Sequence, residues 1–276
     1  MTNDAVLSIS DLSVHYELAR GTSAEALSGA HLDVGRGRVH GLVGGSGSGK
    51  SSLIKAVLGL SAHNARVSGR IDFAGAGDLL RCSAKELRRL RGSQIGYIGQ
   101  DGAGSLHPLM TVGAQFRTFF RQHRVPGSRA RHLARAAECL SEVGMPDPEA
   151  VLRQYPFQLS GGMAQRVVIA IATALSPALV LADEPTSALD LTVQRRVLDL
   201  LAGLRADRGL GILLITHDLG VVAHYCDEVT VLHRGRVVES GPVREVFADP
   251  RDPYTRALLR RPGAPEPAPP AGREGR

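Results

Sequence analysis

Tryptophan is absent, and phenylalanine and tyrosine together make up 4% of the 276 residues. A core must therefore rest on Leu, Val, Ile and Ala, and an apolar content of 43% is ample for one. No apolar run approaches the ~20 residues that span a bilayer. The longest candidates, residues 167–175 and 211–216, fit a core helix and a buried strand. The opening MTNDAVLSIS has no basic stretch followed by an apolar one, so no signal peptide is expected. The chain is expected in the cytosol, with any membrane role arriving through a partner. Cysteine is scarce: Cys82, Cys139 and Cys226 lie far apart without metal-ligand spacing and read as free thiols in a reducing compartment. Lysine is scarcer still in proportion, being confined to Lys50, Lys55 and Lys85, so nearly all the positive charge behind the net +6 is arginine. A basic balance suits nucleic acid, an anionic membrane face or anionic nucleotides, and decides among none of them.

The length suits one large α/β domain, alone or with a sub-domain and a tail. Strand patterns fall at residues 6–16, 27–34, 39–43, 67–73 and 94–98, with a turn at 19–23 and helices at 52–60 and 84–90. From residue 111 to 153 strand patterns vanish, and helical stretches at 112–121, 129–143 and 148–154 read as an insertion. A long apolar helix follows at 160–175. Strands return at 178–182 and 211–216 around a helix at 192–207, then at 229–232 and 236–239, before short helices at 243–248 and 254–260. This alternation predicts a mainly parallel sheet covered on both faces. Residues 263–276, rich in Pro and Gly, are predicted to be a disordered tail.

Three blocks carry chemistry. Residues 44–51 read GGSGSGKS, which fits the phosphate-loop pattern GxxxxGK(S/T) and lies between a predicted strand and a helix. Gly44, Gly45, Ser46, Gly47, Ser48 and Gly49 would let backbone N–H groups curl around phosphate oxygens, helped by the helix N-terminus. Lys50 would reach the β- and γ-phosphates, and Ser51 would place its hydroxyl on Mg²⁺. A flexible Gly/Ser turn is the plainer reading, and the strand–loop–helix context weighs against it. In the second block, Asp183 and Glu184 close an apolar strand, where α/β sheets bind ligands. Asp183 would hold Mg²⁺ and Glu184 would orient or deprotonate the attacking water; without the phosphate loop they would read as a capping pair. In the third, LSGGMAQ at 159–165 places Ser160, Gly161 and Gly162 at the start of a helix. This is either a second phosphate-binding helix end, aimed at a nucleotide held by another subunit, or an ordinary Ser N-cap; the segment alone leaves both open.

In this order and spacing the blocks resemble the ATP-binding subunits of ABC transporters across roughly residues 6–262. The resemblance extends to SALD at 187–190, to Gln100 in YIGQD and to His217 in LLITHD. It implies an α/β P-loop NTPase fold: an ABC-type nucleotide-binding domain over 1–262, with an N-terminal antiparallel β-portion and a helical signature sub-domain at about 105–162. It also implies ATP and Mg²⁺ as cofactors. Gln100 would sense Mg²⁺ and water, His217 would contact the γ-phosphate, Asp190 would communicate across a dimer, and Ser160, Gly161 and Gly162 would bind the partner's nucleotide. Tyr16 would stack on adenine, with Ser52 following Ser51 where Thr is commoner. No NKxD sequence occurs, which argues against a GTPase.

Met163 in the signature, YPFQLSGGM and DPYTRALL at 252–259 are similar to the peptide/nickel importer branch. That branch implies a homologous second ATPase, two membrane-spanning permeases, an extracellular binding protein and a place on the cytoplasmic face of the membrane. Gly45 leans towards nickel or a metal chelate as cargo. Gly99 and Gly102 depart from the branch around Gln100, and the run 99–104 is expected to be flexible. The rivals are a soluble ABC-type ATPase serving repair, translation or cofactor assembly, and a regulatory subunit without turnover, against which Glu184 speaks. Arg117, Arg121, Arg124, Arg129, Arg131 and Arg135 read as a solvated helix face or a surface near the membrane partner. Nucleic acid is set aside, because Phe116, Phe119 and Phe120 sit at core spacing rather than forming a stacking platform.

Overall fold

A computed structural model describes residues 4–18, 22–187 and 189–260. The expected tail at 263–276, part of the turn at 19–23, and Ala188 lie outside these residues. Two sheets organise the chain. In the first, β1 (Ala5–Glu17) pairs antiparallel with β2 (Ser23–Gly35) and β4 (Ala65–Phe73), and the two-residue β5 (Gly77–Asp78) extends the edge. In the second, β9 (Glu228–His233), β3 (Val39–Val43), β8 (Gly211–Ile215), β7 (Leu179–Asp183) and β6 (Ile95–Ile98) run parallel in that spatial order. At its far edge β10 (Arg236–Pro242) lies antiparallel to β9.

Strand periodicity divides the core. In β7, Leu179 and Leu181 face one cluster while Val180 and Ala182 face the other; in β8, Leu213 and Ile215 oppose Ile212 and Leu214 in the same way. Both strands are therefore apolar through residues 179–182 and 211–215, as strands covered on both faces must be, and only Asp183 at the end of β7 is charged. One face packs on α1 (Lys50–Val57), which is held between the two sheets by Leu53, Ile54, Ala56 and Val57. The other face packs on α6 (Gly161–Thr173) and α7 (Leu191–Arg208).

Between β6 and β7 the chain forms α3 (Val112–Gln122), α4 (Arg129–Glu142), α5 (Pro148–Arg153) and α6, with no strand. Thr111, Ser128, Asp147 and Ser160 cap these four helices, each side chain accepting from a backbone N–H three residues on. Phe116 and Phe120 are fully buried, each contributing about 1.5–3 kcal/mol by area. Phe116 and Phe120 are thus core, as expected, while Phe119 is half-buried against the same cluster. Arg121, Arg124, Arg129 and Arg131 are exposed. Arg135 donates to the Ala174 carbonyl at the end of α6 and lies over the Phe120 ring.

The remaining helices are α2 (Ala84–Leu90), α8 (Leu219–Tyr225), α9 (Val243–Ala248) and α10 (Pro253–Leu259). Neither β5 nor α8 was anticipated, being too short to show a period. The first helix begins at Lys50 rather than 52, because Gly49 adopts φ 108° as its N-cap. The flexibility expected at 99–104 meets a packing constraint. Gly102 is buried, and a Cβ there would overlap the Gln165 side chain and stand 2.9 Å from the Gln165 backbone N. Glycine at 102 lets the segment lie directly on α6.

Candidate functional site

Parallel strands end on one edge, and four of them deliver the expected residues to it. The phosphate loop follows β3, Gln100 follows β6, Asp183 ends β7, and His217 follows β8. The sheet order places β3, β8, β7 and β6 side by side, so residues up to 173 positions apart in sequence share one rim.

Lys50 Nζ donates to the carbonyls of Gly44 and Gly45, both at 2.8 Å, and to Ser48 Oγ at 3.3 Å. The loop is thereby curled around its own lysine. A Cβ on Gly49 would overlap the Ala26 carbonyl of β2, and one on Gly44 would overlap the Leu232 carbonyl of β9. Both positions have room only for glycine, and this lets the loop backbone lie flush against the sheets. Burial lowers the Lys50 pKa, while Glu184 and Asp183 act to raise it. Burial raises the Asp183 pKa, aided by Glu184 and opposed by Lys50 and Lys55. The cation and the carboxylates therefore share one half-buried field.

Glu184 is the meeting point. Its φ is +46°, a left-handed conformation that costs a non-glycine residue on the order of 1–2 kcal/mol. The N–H of Glu184 donates to Ile215 O at 3.0 Å, which holds the strained turn. Its Oε2 lies 3.4 Å from His217 Nδ1 and 3.5 Å from Gln100 Nε2. A cleft of about 100 Å³ lined by Glu184, Thr186, Ser187, His217 and Asp218 opens beside it, with room for water.

The other expected residues are placed by their own local contacts. The Tyr16 hydroxyl meets Ser52 Oγ at 3.2 Å, fixing the end of β1 to α1. Ser51 is exposed at the first turn of α1. Ser160 and Gly161 are exposed and Gly162 is half-buried, so the start of α6 faces outward. Asp190 caps α7, accepting from the N–H groups of Thr192 and Val193 at 3.0 Å. Sequence reasoning missed Tyr254, whose hydroxyl accepts from the Gly45 N–H at 2.9 Å, and His233, which stacks on it. In sequence, DPYTRALL carries only a branch resemblance, and a contact across 209 residues leaves no local pattern.

A glycine cradle on a strand–helix turn, with an acidic pair at the end of β7, one strand removed across β8, defines a P-loop nucleotide-binding ATPase. A family described as ABC transporter matches residues 27–187. The oligopeptide transport ATP-binding protein OppD of Lactococcus lactis subsp. cremoris is 41% identical over 261 residues, 94% of this chain and 76% of that protein. The dipeptide transport ATP-binding protein DppD of Escherichia coli is 43% identical over 259 residues, 93% and 78% of the respective chains. A dimeric ATP-binding cassette solved in a post-hydrolysis state with ADP and Pi matches with TM-score 0.75 at 28% identity, over 86% of this chain and 99% of that one. The structure of CbiO1 from Clostridium perfringens, part of an ABC transporter complex, matches with TM-score 0.72 at 30% identity, over 90% and 92%. The chain belongs to the ABC transporter family, as an ATP-binding subunit that hydrolyses ATP. Among the described residues no helix is long and apolar enough to cross a membrane.

Proposed function

We propose that this chain powers peptide import as one of two ATPase subunits beneath membrane-spanning permeases, on the cytoplasmic face of the membrane. The observation that carries the chemical part is the convergence of Gln100 and His217 on one Glu184 carboxylate oxygen beside the phosphate loop. Gly44, Gly45, Ser46, Gly47, Ser48, Gly49 and Lys50 hold the triphosphate, and Tyr16 stacks on adenine with its ring tethered through Ser52. Ser51, Gln100 and Asp183 offer a hydroxyl, an amide carbonyl and a carboxylate, the all-oxygen donor set that Mg²⁺ prefers. Mg²⁺ held there would neutralise phosphate charge. Glu184 accepts the proton of the attacking water, His217 donates towards the terminal phosphate, and Gln100 orients the water. Ser160, Gly161 and Gly162 face outward and would close on a nucleotide held by the second ATPase, with Asp190 at that junction.

Peptides are placed ahead of nickel because the relatives named above are oligopeptide and dipeptide transport proteins. The reading as a soluble ATPase uncoupled from transport finds no support among them. The test is purification of the tagged chain from its own membranes. Co-purification of multi-spanning permeases and a related ATPase, with ATPase activity stimulated by a peptide-loaded binding protein, is the expected outcome. A preparation without membrane proteins, or one stimulated by nickel and not by peptide, would reject the reading.

A further inference from the structure

The C-terminal end of the described chain returns to the phosphate loop. On β10 the Glu239 carboxylate accepts from the N–H of Arg251 at 2.8 Å and from that of Asp252 at 3.2 Å. Asp252 in turn caps α10, accepting from the Tyr254 N–H at 2.7 Å. This pins the start of a seven-residue helix that would be marginal alone. Tyr254 is 6% exposed, packs with Val43, Val231 and Val246, and stacks on His233 with ring centroids 3.8 Å apart. From there its hydroxyl accepts from the Gly45 N–H at 2.9 Å. Lys50 Nζ grips the Gly45 carbonyl, and the Gly235 N–H, in the β9–β10 turn, donates to the Ser48 carbonyl at 3.0 Å.

We propose that Tyr254 is a positioning residue for ATP binding: its hydroxyl holds the Gly45 peptide so that the phosphate loop is set before nucleotide arrives. A loop with four glycines in six residues has much backbone entropy to lose on binding phosphate. Holding it from β9, β10 and α10 removes part of that cost in advance, which tightens binding without any contact to the ligand. The same contact explains the residue at 45. A Cβ there would stand 3.1 Å from the Tyr254 hydroxyl, so glycine leaves room for the brace. The inference rests on reading residues 44–51 as the ATP cradle.

The experiment uses the full chain with Tyr254→Phe, which keeps the ring on His233 and removes only the hydroxyl. ATP affinity is measured by calorimetry with Mg²⁺, and amide exchange over residues 44–51 without nucleotide. The expected result is about a five-fold loss of ATP affinity, faster exchange confined to 44–51, and a melting temperature within about 2 °C of wild type. Gly45→Ala, which crowds the hydroxyl, should weaken ATP binding more in the wild-type background than in Tyr254→Phe. Wild-type affinity with unchanged exchange would overturn the proposal. So would faster exchange throughout the chain with a large fall in melting temperature, which would mark a purely structural role. Lys50→Ala is the control for the underlying reading. If it bound ATP as wild type does, the cradle assignment would fail, while the exchange result would still judge the brace.

Discussion

Residues 44–49 and 160–162 are both short runs of small residues ahead of a helix, α1 in one case and α6 in the other, and the fold treats them in opposite ways. The first is enclosed. Lys50 binds its carbonyls, Tyr254 takes an N–H, and the carbonyls of Ala26 and Leu232 leave no space for a Cβ at Gly49 or Gly44. The second is open, with Ser160 and Gly161 exposed; Ser160 engages only its own helix, its hydroxyl on the Met163 N–H and its carbonyl on the Ala164 N–H. One is braced from several sides by its own chain, the other is left open to solvent. Local sequence does not separate them; what packs against each run does.

The largest effect is expected at Glu184, beside the enclosed run. Glu184→Gln keeps the shape and removes the base, so turnover should fall by about 10²–10⁴-fold while ATP still binds and holds the dimer closed. Full ATPase activity in that variant would deny Glu184 its role. At the open site, Gly161→Glu puts a carboxylate where a partner's phosphate would arrive. Turnover of the assembled complex should fall by about 10²-fold, with ATP affinity of the isolated chain kept. Equal loss in the isolated chain would mean that the two segments serve one nucleotide in the same protomer.

The smallest effect concerns the field inside the enclosed site. Burial and Glu184 raise the Asp183 pKa, so the fold favours the protonated acid. That contribution is fully present below the unfolded-state pKa and is lost as pH rises from there through the folded-state pKa. Asp183→Asn should therefore match wild type in acid and melt higher above that pKa without nucleotide, by on the order of 1–2 °C given partial exposure. A lower melting temperature at neutral pH would show that Lys50 and Lys55 outweigh desolvation.

The strands that build the site were legible because burial on both faces leaves a continuous apolar run, as in residues 179–182 and 211–215. Gly49 and Lys50 were legible because a phosphate cradle needs its glycines and cation at fixed spacing along one turn. Asp183 and Glu184 were legible from their place at a strand end. Tyr254 was not, since its partner lies 209 residues away and no periodicity links a tyrosine to a glycine N–H. Gly102 was misread as looseness for the same reason. Its small size answers to Gln165, a neighbour only once α6 has packed against the segment after β6.

By itself, then, the order of residues marked which groups are candidates to meet phosphate, metal and water, because those roles depend on chemical type and on spacing within a turn. Tertiary structure alone decided that Gln100 and His217 meet at Glu184, that Tyr254 bonds to the phosphate loop, and that the start of α6 is left exposed. The physical reason is that sheet order and strand direction bring distant segments to one rim. Pairing among buried apolar strands sets that order, and no single stretch of the chain contains it.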